Sequence, residues 1–281
     1  MRSARSMSKA LNYQIRSVER WRQGEDIRYG EDALAEEVPV ALVYGGISYA
    51  VMMATPDALE QFALGFSLTE GLVASADEVF SIEAYEVELE LGPGLQVDIE
   101  VSQRRLHQLK ERRRNLAGRT GCGLCGSESL DGAIRPINRV EPLAMIAPTA
   151  IEQGLANLTA NQSLKQQTGA VHGAAWCNTE GGLVYLFEDV GRHNALDKLV
   201  GEMTLNSVDP REGFVLMTSR GSYEVIHKCA AANVSNLVCI SAPTGLAVKL
   251  AQQAGMNLVG FARNGKHTIY TRGQTSLEKN S

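Results

Sequence analysis

Between residues 213 and 263 apolar runs and helical segments alternate twice over, and no other feature limits the fold as much. "GFVLMTS" has the character of a strand, "RGS" of a turn, and "YEVIHKCAAAN" of a helix. "NLVCISA", "PTG" and "LAVKLAQQAG" repeat that unit, and "NLVGFAR" supplies a third strand. Strands joined through helices lie parallel and need helices over their faces. The preceding residues fit the same plan. "APTAIEQGLANLTANQ" reads as a helix, "AVHGAAWCN" and "LVYLFED" as a hairpin around Gly-Gly, and "VGRHNALDKLVGEMTLN" as a helix. A Gly turn and a short strand follow residue 263.

Upstream of Pro136 and Pro142 the character differs. Residues 38–54 read as two strands around Tyr-Gly-Gly, and Pro56 and Asp57 open a helix that stops at Gly71. Residues 79–101 alternate apolar and acidic positions around Gly-Pro-Gly, which predicts a hairpin with one solvated face. Residues 103–117 form a basic helix. The expected class is α/β, α+β overall, with a flexible basic tail over 1–22, a smaller β-rich N-terminal domain over 23–140, and a second domain over 141–281.

Net charge is −5, which gives no reason to expect nucleic-acid binding. No stretch reaches the roughly 18 apolar residues of a membrane span, and no apolar secretory core segment follows Met1. The expectation is a cytoplasmic protein that does not insert into membranes. An odd cysteine count of 5, with only Cys122 and Cys125 closely spaced, does not resemble a secreted disulfide framework.

Cys122 and Cys125 sit in "RTGCGLCGSES", within a glycine-rich loop over 118–129. Arg104, Arg105, Lys110, Arg112, Arg113, Arg114 and Arg119 precede them, against Glu111 alone. Nearby cations favour thiolate, and glycines let a loop move. Structural zinc needs four ligands, and a second cysteine pair is missing because Cys229 and Cys239 fall in separate regular elements. A thioredoxin-like dithiol belongs between a strand and a helix, whereas a helix precedes this loop. A sulfur carrier would place one thiol where it can accept a persulfide sulfur, with the second thiol releasing it. Zinc, dithiol exchange, sulfur carriage and an inert loop all stay open on the residues alone.

The turns after the two parallel strands offer Ser219, Arg220, Gly221 and Ser222 in one and Thr244 in the other. Helix N-termini bind phosphate, and crevices beyond the strand C-termini of such sheets bind ligands. His172 and the polar run "EDVGRHNALDK", with His193, are further candidates. Zinc deaminases need His-x-Glu followed by Pro-Cys-x-x-Cys, and Gly173 and Ala174 follow His172, so that chemistry is disfavoured. In "GFARNGKHTIY", Phe261 could stack on a flat ring while Arg263 and Lys266 meet phosphates.

Taken in order, "ALGFSLTEG", "CGLCG", "EDVGRHNALDK", "SAPTGLAVKLA" and "GFAR" resemble the formate dehydrogenase accessory sulfurtransferase family, FdhD, from about Val38 to Thr271. The resemblance implies a sulfurtransferase that moves sulfur from a cysteine desulfurase to the molybdenum cofactor, a bis(molybdopterin guanine dinucleotide), before its insertion into formate dehydrogenase. It implies Cys122 as the persulfide carrier and Cys125 as its partner thiol. It places cofactor contacts on Phe261, Ala262, Arg263, Asn264, Gly265 and Lys266. A guanine nucleotide such as GDP would then be a partial mimic. It further implies a C-terminal three-layer domain similar to cytidine deaminases but without their zinc, no structural metal, and a homodimer. The chain departs from the family pattern at Thr120 and Gly121, where serines are common, and at Ser127, where lysine is.

Overall fold

The computed structural model describes residues 12–90, 92–114, 136–263 and 265–273. Its largest sheet has the order β12-β11-β10-β9-β7-β8, formed by β7 (His172–Asn178), β8 (Leu183–Asp189), β9 (Gly213–Met217), β10 (Asn236–Cys239), β11 (Asn257–Arg263) and β12 (Lys266–Thr271). β9, β10 and β11 run parallel, as the two repeated units require, while β7, β8 and β12 add antiparallel pairs. Alternate residues of the central strands point to opposite faces. Val215, Met217, Leu237 and Leu258 pack into one core with α5 (Arg192–Leu205), α6 (Tyr223–Ala231) and α7 (Gly245–Ala254). Phe214, Leu216, Val238 and Val259 pack into another with α3 (Pro148–Asn161). The result is the expected three-layer arrangement of mixed α/β class. Glu188 accepts the N–H groups of Leu164 and Lys165 at 2.8 and 3.0 Å, which fixes the start of the short α4 (Ser163–Thr168).

A second sheet has the order β4-β3-β6-β5. It combines two hairpins, β3 (Val38–Tyr44) with β4 (Ile47–Ala54), and β5 (Val79–Leu89) with β6 (Gly92–Val101). The parallel pair β3 and β6 joins them. Its inner face buries Val40, Leu42, Tyr44, Val97 and Ile99 against Phe62 and Phe66 of α1 (Leu59–Thr69) and Leu109 of α2 (Gln103–Arg114). Glu83 faces Asp98 across the outer face, as the acidic alternation predicts. α1 begins at Leu59 and not at Pro56, because Ala58 takes a left-handed φ of 48° that a helix cannot run through, and the Asp57 carboxylate before it is held by Asn12 Nδ2 at 2.6 Å and Lys198 Nζ at 2.5 Å.

Part of the N-terminal segment read as a flexible tail is ordered. Tyr13–Arg20 forms β1, antiparallel to β2 (Arg28–Ala35), with a Gly24 turn at φ 83°. Counting basic residues hid the alternation. Arg16 and Arg20 are set against Asp32 of the partner strand, with Arg20 Nη2 3.2 Å from its carboxylate.

The two larger sheets meet through α1 and α5. A Cβ on Gly65 would lie 1.8 Å from the Asp197 carbonyl oxygen, and one on Gly201 would lie 2.0 Å from that of Gln61. The helices therefore touch backbone to backbone, which only glycine allows. Two buried lysines hold the ends of α1. Lys198 Nζ contacts Asp57, Asp189 Oδ2 at 2.8 Å and Thr55 Oγ1 at 2.7 Å. Lys228 Nζ donates to Thr69 Oγ1 and Glu70 Oε1 at 3.0 Å and to both Asp197 oxygens at 2.9 Å. A cation beside the C-terminal turn of α1 also suits the helix dipole.

Candidate functional site

At the C-terminal ends of β9, β10 and β11, three turns are stitched side by side. Gly173 donates its N–H to Thr218 Oγ1 at 2.9 Å, and the Thr218 N–H returns to the Gly173 carbonyl at 3.0 Å. The Thr244 N–H donates to the Gly221 carbonyl at 2.9 Å, beside a parallel bridge between Gly221 and Pro243. The Phe261 N–H donates to the Ser241 carbonyl at 3.2 Å. The glycines permit this closeness, since a Cβ on Gly260 would lie 2.7 Å from the Pro243 ring. Ser219, Arg220, Gly221, Ser222, Thr244 and Phe261 thus share one edge.

Antiparallel pairing brings the start of β7 and the end of β8 to the same edge. His172 pairs with Asp189 there, and α5 begins three residues after Asp189 with Arg192 and His193. Neither Gly191 before α5 nor Ser222 before α6 caps its helix with a side chain, although the Glu224 carboxylate takes its own N–H in the first turn of α6. Thr244 does cap α7, accepting the Ala247 N–H at 3.2 Å.

The electrostatics are unusual for histidine. Burial lowers the His172 pKa, and the Lys165 and Arg192 charges add to the effect. Burial lowers His193 to about 4, again helped by Arg192, against Glu224. Both imidazoles are neutral near pH 7. His193 Nε2 lies 3.7 Å from Glu224 Oε2, beyond hydrogen-bond range. His193 Nε2, Arg192 Nε and Ser222 Oγ are buried with no hydrogen-bond partner. Buried polar atoms are almost always paired, so these three leave bonding capacity at one crevice that an incoming molecule could take up.

The 261–266 stretch divides. Phe261 is non-glycine at φ 52°, an uncommon state for a bulky residue, with its ring part-exposed and the Arg263 guanidinium 5.9 Å from its centroid. Ala262 is fully buried in the core under α3, so its side chain is not open to a ligand. Gly265 and Lys266 line a groove of 620 Å³ with His267, Pro148, Thr149 and Glu152. Asn264 lies outside the described residues.

Cys122 and Cys125, with the whole loop over 118–129, also lie outside the described residues. The remaining thiols are sealed. Burial raises Cys177 and Cys239 to about 12 and Cys229 higher still, so none is thiolate at neutral pH. No cluster of three or more His, Cys, Asp or Glu side chains suited to a metal occurs among the described residues. No described helix is long and apolar enough to cross a membrane.

Asn194, Asp197 and Lys198 belong to the polar run taken as a site candidate, yet all three are buried against α1 and its flanks, a structural role the run did not disclose. Their spacing with Gly201, a polar stripe on one helix face, is the signal that could have found them.

Comparison with known proteins adds an independent line. Residues 35–276 match the model of the FdhD/NarQ family. Sulfur carrier protein FdhD of Cupriavidus necator is 49% identical over 258 residues, covering 92% of this chain and 88% of the relative. The protein of the same name from Chromobacterium violaceum is 51% identical over 243 residues, covering 85% and 88%. A crystal structure from Desulfotalea psychrophila, described as a proposed formate dehydrogenase accessory protein, superposes with a TM-score of 0.69 over 94% of this chain and 99% of that one. At 21% identity it speaks to the fold alone.

Proposed function

This chain belongs to the FdhD/NarQ family, and from that premise we propose that it is a sulfur carrier serving formate dehydrogenase. Cys122 accepts a sulfur atom from the persulfide of a cysteine desulfurase. The acceptor is the molybdenum cofactor in its bis(molybdopterin guanine dinucleotide) form, which is the substrate of this sulfurtransferase. The protein acts in the cytoplasm as a homodimer.

One observation carries the reading: the division of the thiols. Cys177, Cys229 and Cys239 are buried and protonated, so sulfur chemistry is left to Cys122 and Cys125 behind their basic segment. The names of the relatives agree with this. The crevice also suits the acceptor. Uncapped helix starts and the orphaned Arg192 Nε fit phosphate, and the part-exposed Phe261 ring fits a flat heterocycle.

The chemistry balances in two steps. Cys122 thiolate attacks the terminal sulfur of the donor persulfide, the donor's S–S bond breaks, and the donor leaves as a thiolate. Cys125 thiolate then attacks the inner sulfur of the Cys122 persulfide. The outer sulfur departs as sulfide to the acceptor, and a Cys122–Cys125 disulfide remains. The two electrons come from the thiol pair, so a cellular dithiol must reduce the disulfide before the next turnover.

Intact mass after incubation with a desulfurase and cysteine tests this. Wild type should gain one reducible sulfur atom. Cys122→Ala should gain none and should still bind GDP. Sulfur uptake by Cys122→Ala would overturn the assignment.

A further inference from the structure

We propose that the acidic edge strand β5 is a docking surface for the basic helix α2 of a second copy of this chain, the reciprocal contact forming at the same time. This rests on the homodimer of the reading above, and it adds the surfaces that hold the two copies together.

Charge is segregated along the chain. Residues 29–103 hold fifteen acidic residues and no Lys, Arg or His. α2 follows at once, with Arg104, Arg105, Lys110, Arg112, Arg113 and Arg114 against Glu111 alone. The ion-paired acids of that span therefore take every cation from another segment. Arg20 pairs with Asp32, Lys198 with Asp57, Lys228 with Glu70, and Arg104 and Arg105 with Glu78. Glu83, Glu86, Glu88, Glu90, Asp98 and Glu100 have no such cation among the described residues.

All of these but Asp98 are exposed, on β5, its turn and the neighbouring β6. Glu83 stands directly opposite Asp98, and like charges so placed destabilise a sheet. β5 is the outermost strand, 11 residues long. A few charges on an edge suffice to keep other strands away. A run without one counter-charge goes beyond that, and it suits a cationic surface. Phe80 and Leu89, exposed toward the two ends of β5, add apolar contact there.

The matching surface lies on the same domain. Arg104 Nη2 and Arg105 Nε lie 3.3 and 2.8 Å from the Glu78 carboxylate, which ties α2 to the start of β5. The helix then runs toward the β3–β4 turn, where Leu106 lies against Gly45. It cannot reach Glu86, Glu88 and Glu90 at the far end of its own hairpin. Leu109 faces the core, while Arg104, His107 and Lys110 are exposed. A two-fold axis sets the helix of each copy against the acidic run of the other, and both contacts form together.

Sedimentation equilibrium of the full chain, in reductant so that Cys122 and Cys125 cannot link copies, tests the proposal. Wild type should dimerise, with a dissociation constant that rises at least about tenfold from low salt to about 0.5 M. Arg104→Glu with Lys110→Glu, and separately Glu86→Lys with Glu88→Lys, should each weaken the dimer at least about tenfold. An equimolar mixture of the two variants should recover to within about threefold of wild type, because one contact is then unaltered and the other has both charges reversed. Misfolding cannot produce that gain. A dimer indifferent to salt, variants that dimerise like wild type, or a mixture no tighter than its parts overturns this interface and leaves the homodimer and the sulfur carrier standing. A wild type that stays monomeric overturns the interface and the homodimer together, while sulfur uptake by Cys122 keeps its own test.

Discussion

His193 gives the folded state an acid sensitivity whose sign is fixed by burial. Arg192, Glu224, Lys228 and Glu70 act on it, and the net effect of burial and these charges is a pKa of about 4. The unfolded chain takes its proton near 6.5. Between those values the unfolded state binds the proton and the folded state does not, so stability present above pH 6.5 is lost as pH falls toward 4. Asp197 has the opposite sign. Burial raises it to about 6, against Lys228, so it favours the folded state as pH falls from 6 toward its unfolded value of 3.8. Thermal melts at pH 7 and pH 5 should therefore separate wild type from His193→Gln. Wild type should lose more on acidification, by on the order of 1 kcal/mol per pH unit within the window. Parallel losses in the two proteins would show that His193 is not held neutral by the fold.

At the scale of elements, the contact between α1 and α5 is the least forgiving in the molecule. Gly65 and Gly201 lie against the carbonyls of Asp197 and Gln61, and backbone cannot move aside as a side chain can. Gly65→Ala should cost about 3 kcal/mol or more, as overpacking at its upper end, whereas Gly46→Ala, with nothing within 4 Å but φ 80°, should cost only backbone strain. Urea midpoints of the two variants would check this; similar midpoints would show that the helices can part. The same pair of helices shows where sequence was legible. The parallel strands, their turns and the shared edge of Ser219, Thr244 and Phe261 follow from local period and the rule for such sheets. The inward face of α5 does not. Its Asn194, Asp197 and Lys198 have the composition of a solvated face, and only their partners on α1 and the Thr55 segment, far away in sequence, make burial possible. β1 was hidden in a similar way, because Arg16 and Arg20 suggest a tail until Asp32 stands opposite.

Across the whole molecule, the two sheets are held together by charges taken out of water. Lys198 reaches the Thr55–Asp57 segment before α1, and Lys228 reaches Thr69 and Glu70 at its end. Both lysines come from helices whose first turns line the crevice, so the N-terminal sheet and the crevice share the same fixed points. Removing one partner of a buried pair leaves the other charge stranded and costs about 3–5 kcal/mol. Lys228→Met strands Asp197, which is buried and has Thr69 as its other hydrogen-bond donor. The loss falls on the contact between the sheets and on neither core, since Phe62 and Phe66 still pack under β3 and β6, and Val225 and Ile226 still pack under the C-terminal sheet. Wild type should then unfold in urea as one unit, with Trp176 fluorescence, which reports the buried C-terminal core, coinciding with far-UV circular dichroism, which reports both sheets. In Lys228→Met the two curves should separate, because each sheet keeps its own core but loses its tie to the other. A curve that shifts without separating would mean that the glycine contact between α1 and α5 is the stronger tie. In that case Lys198→Met should shift the curves without separating them as well.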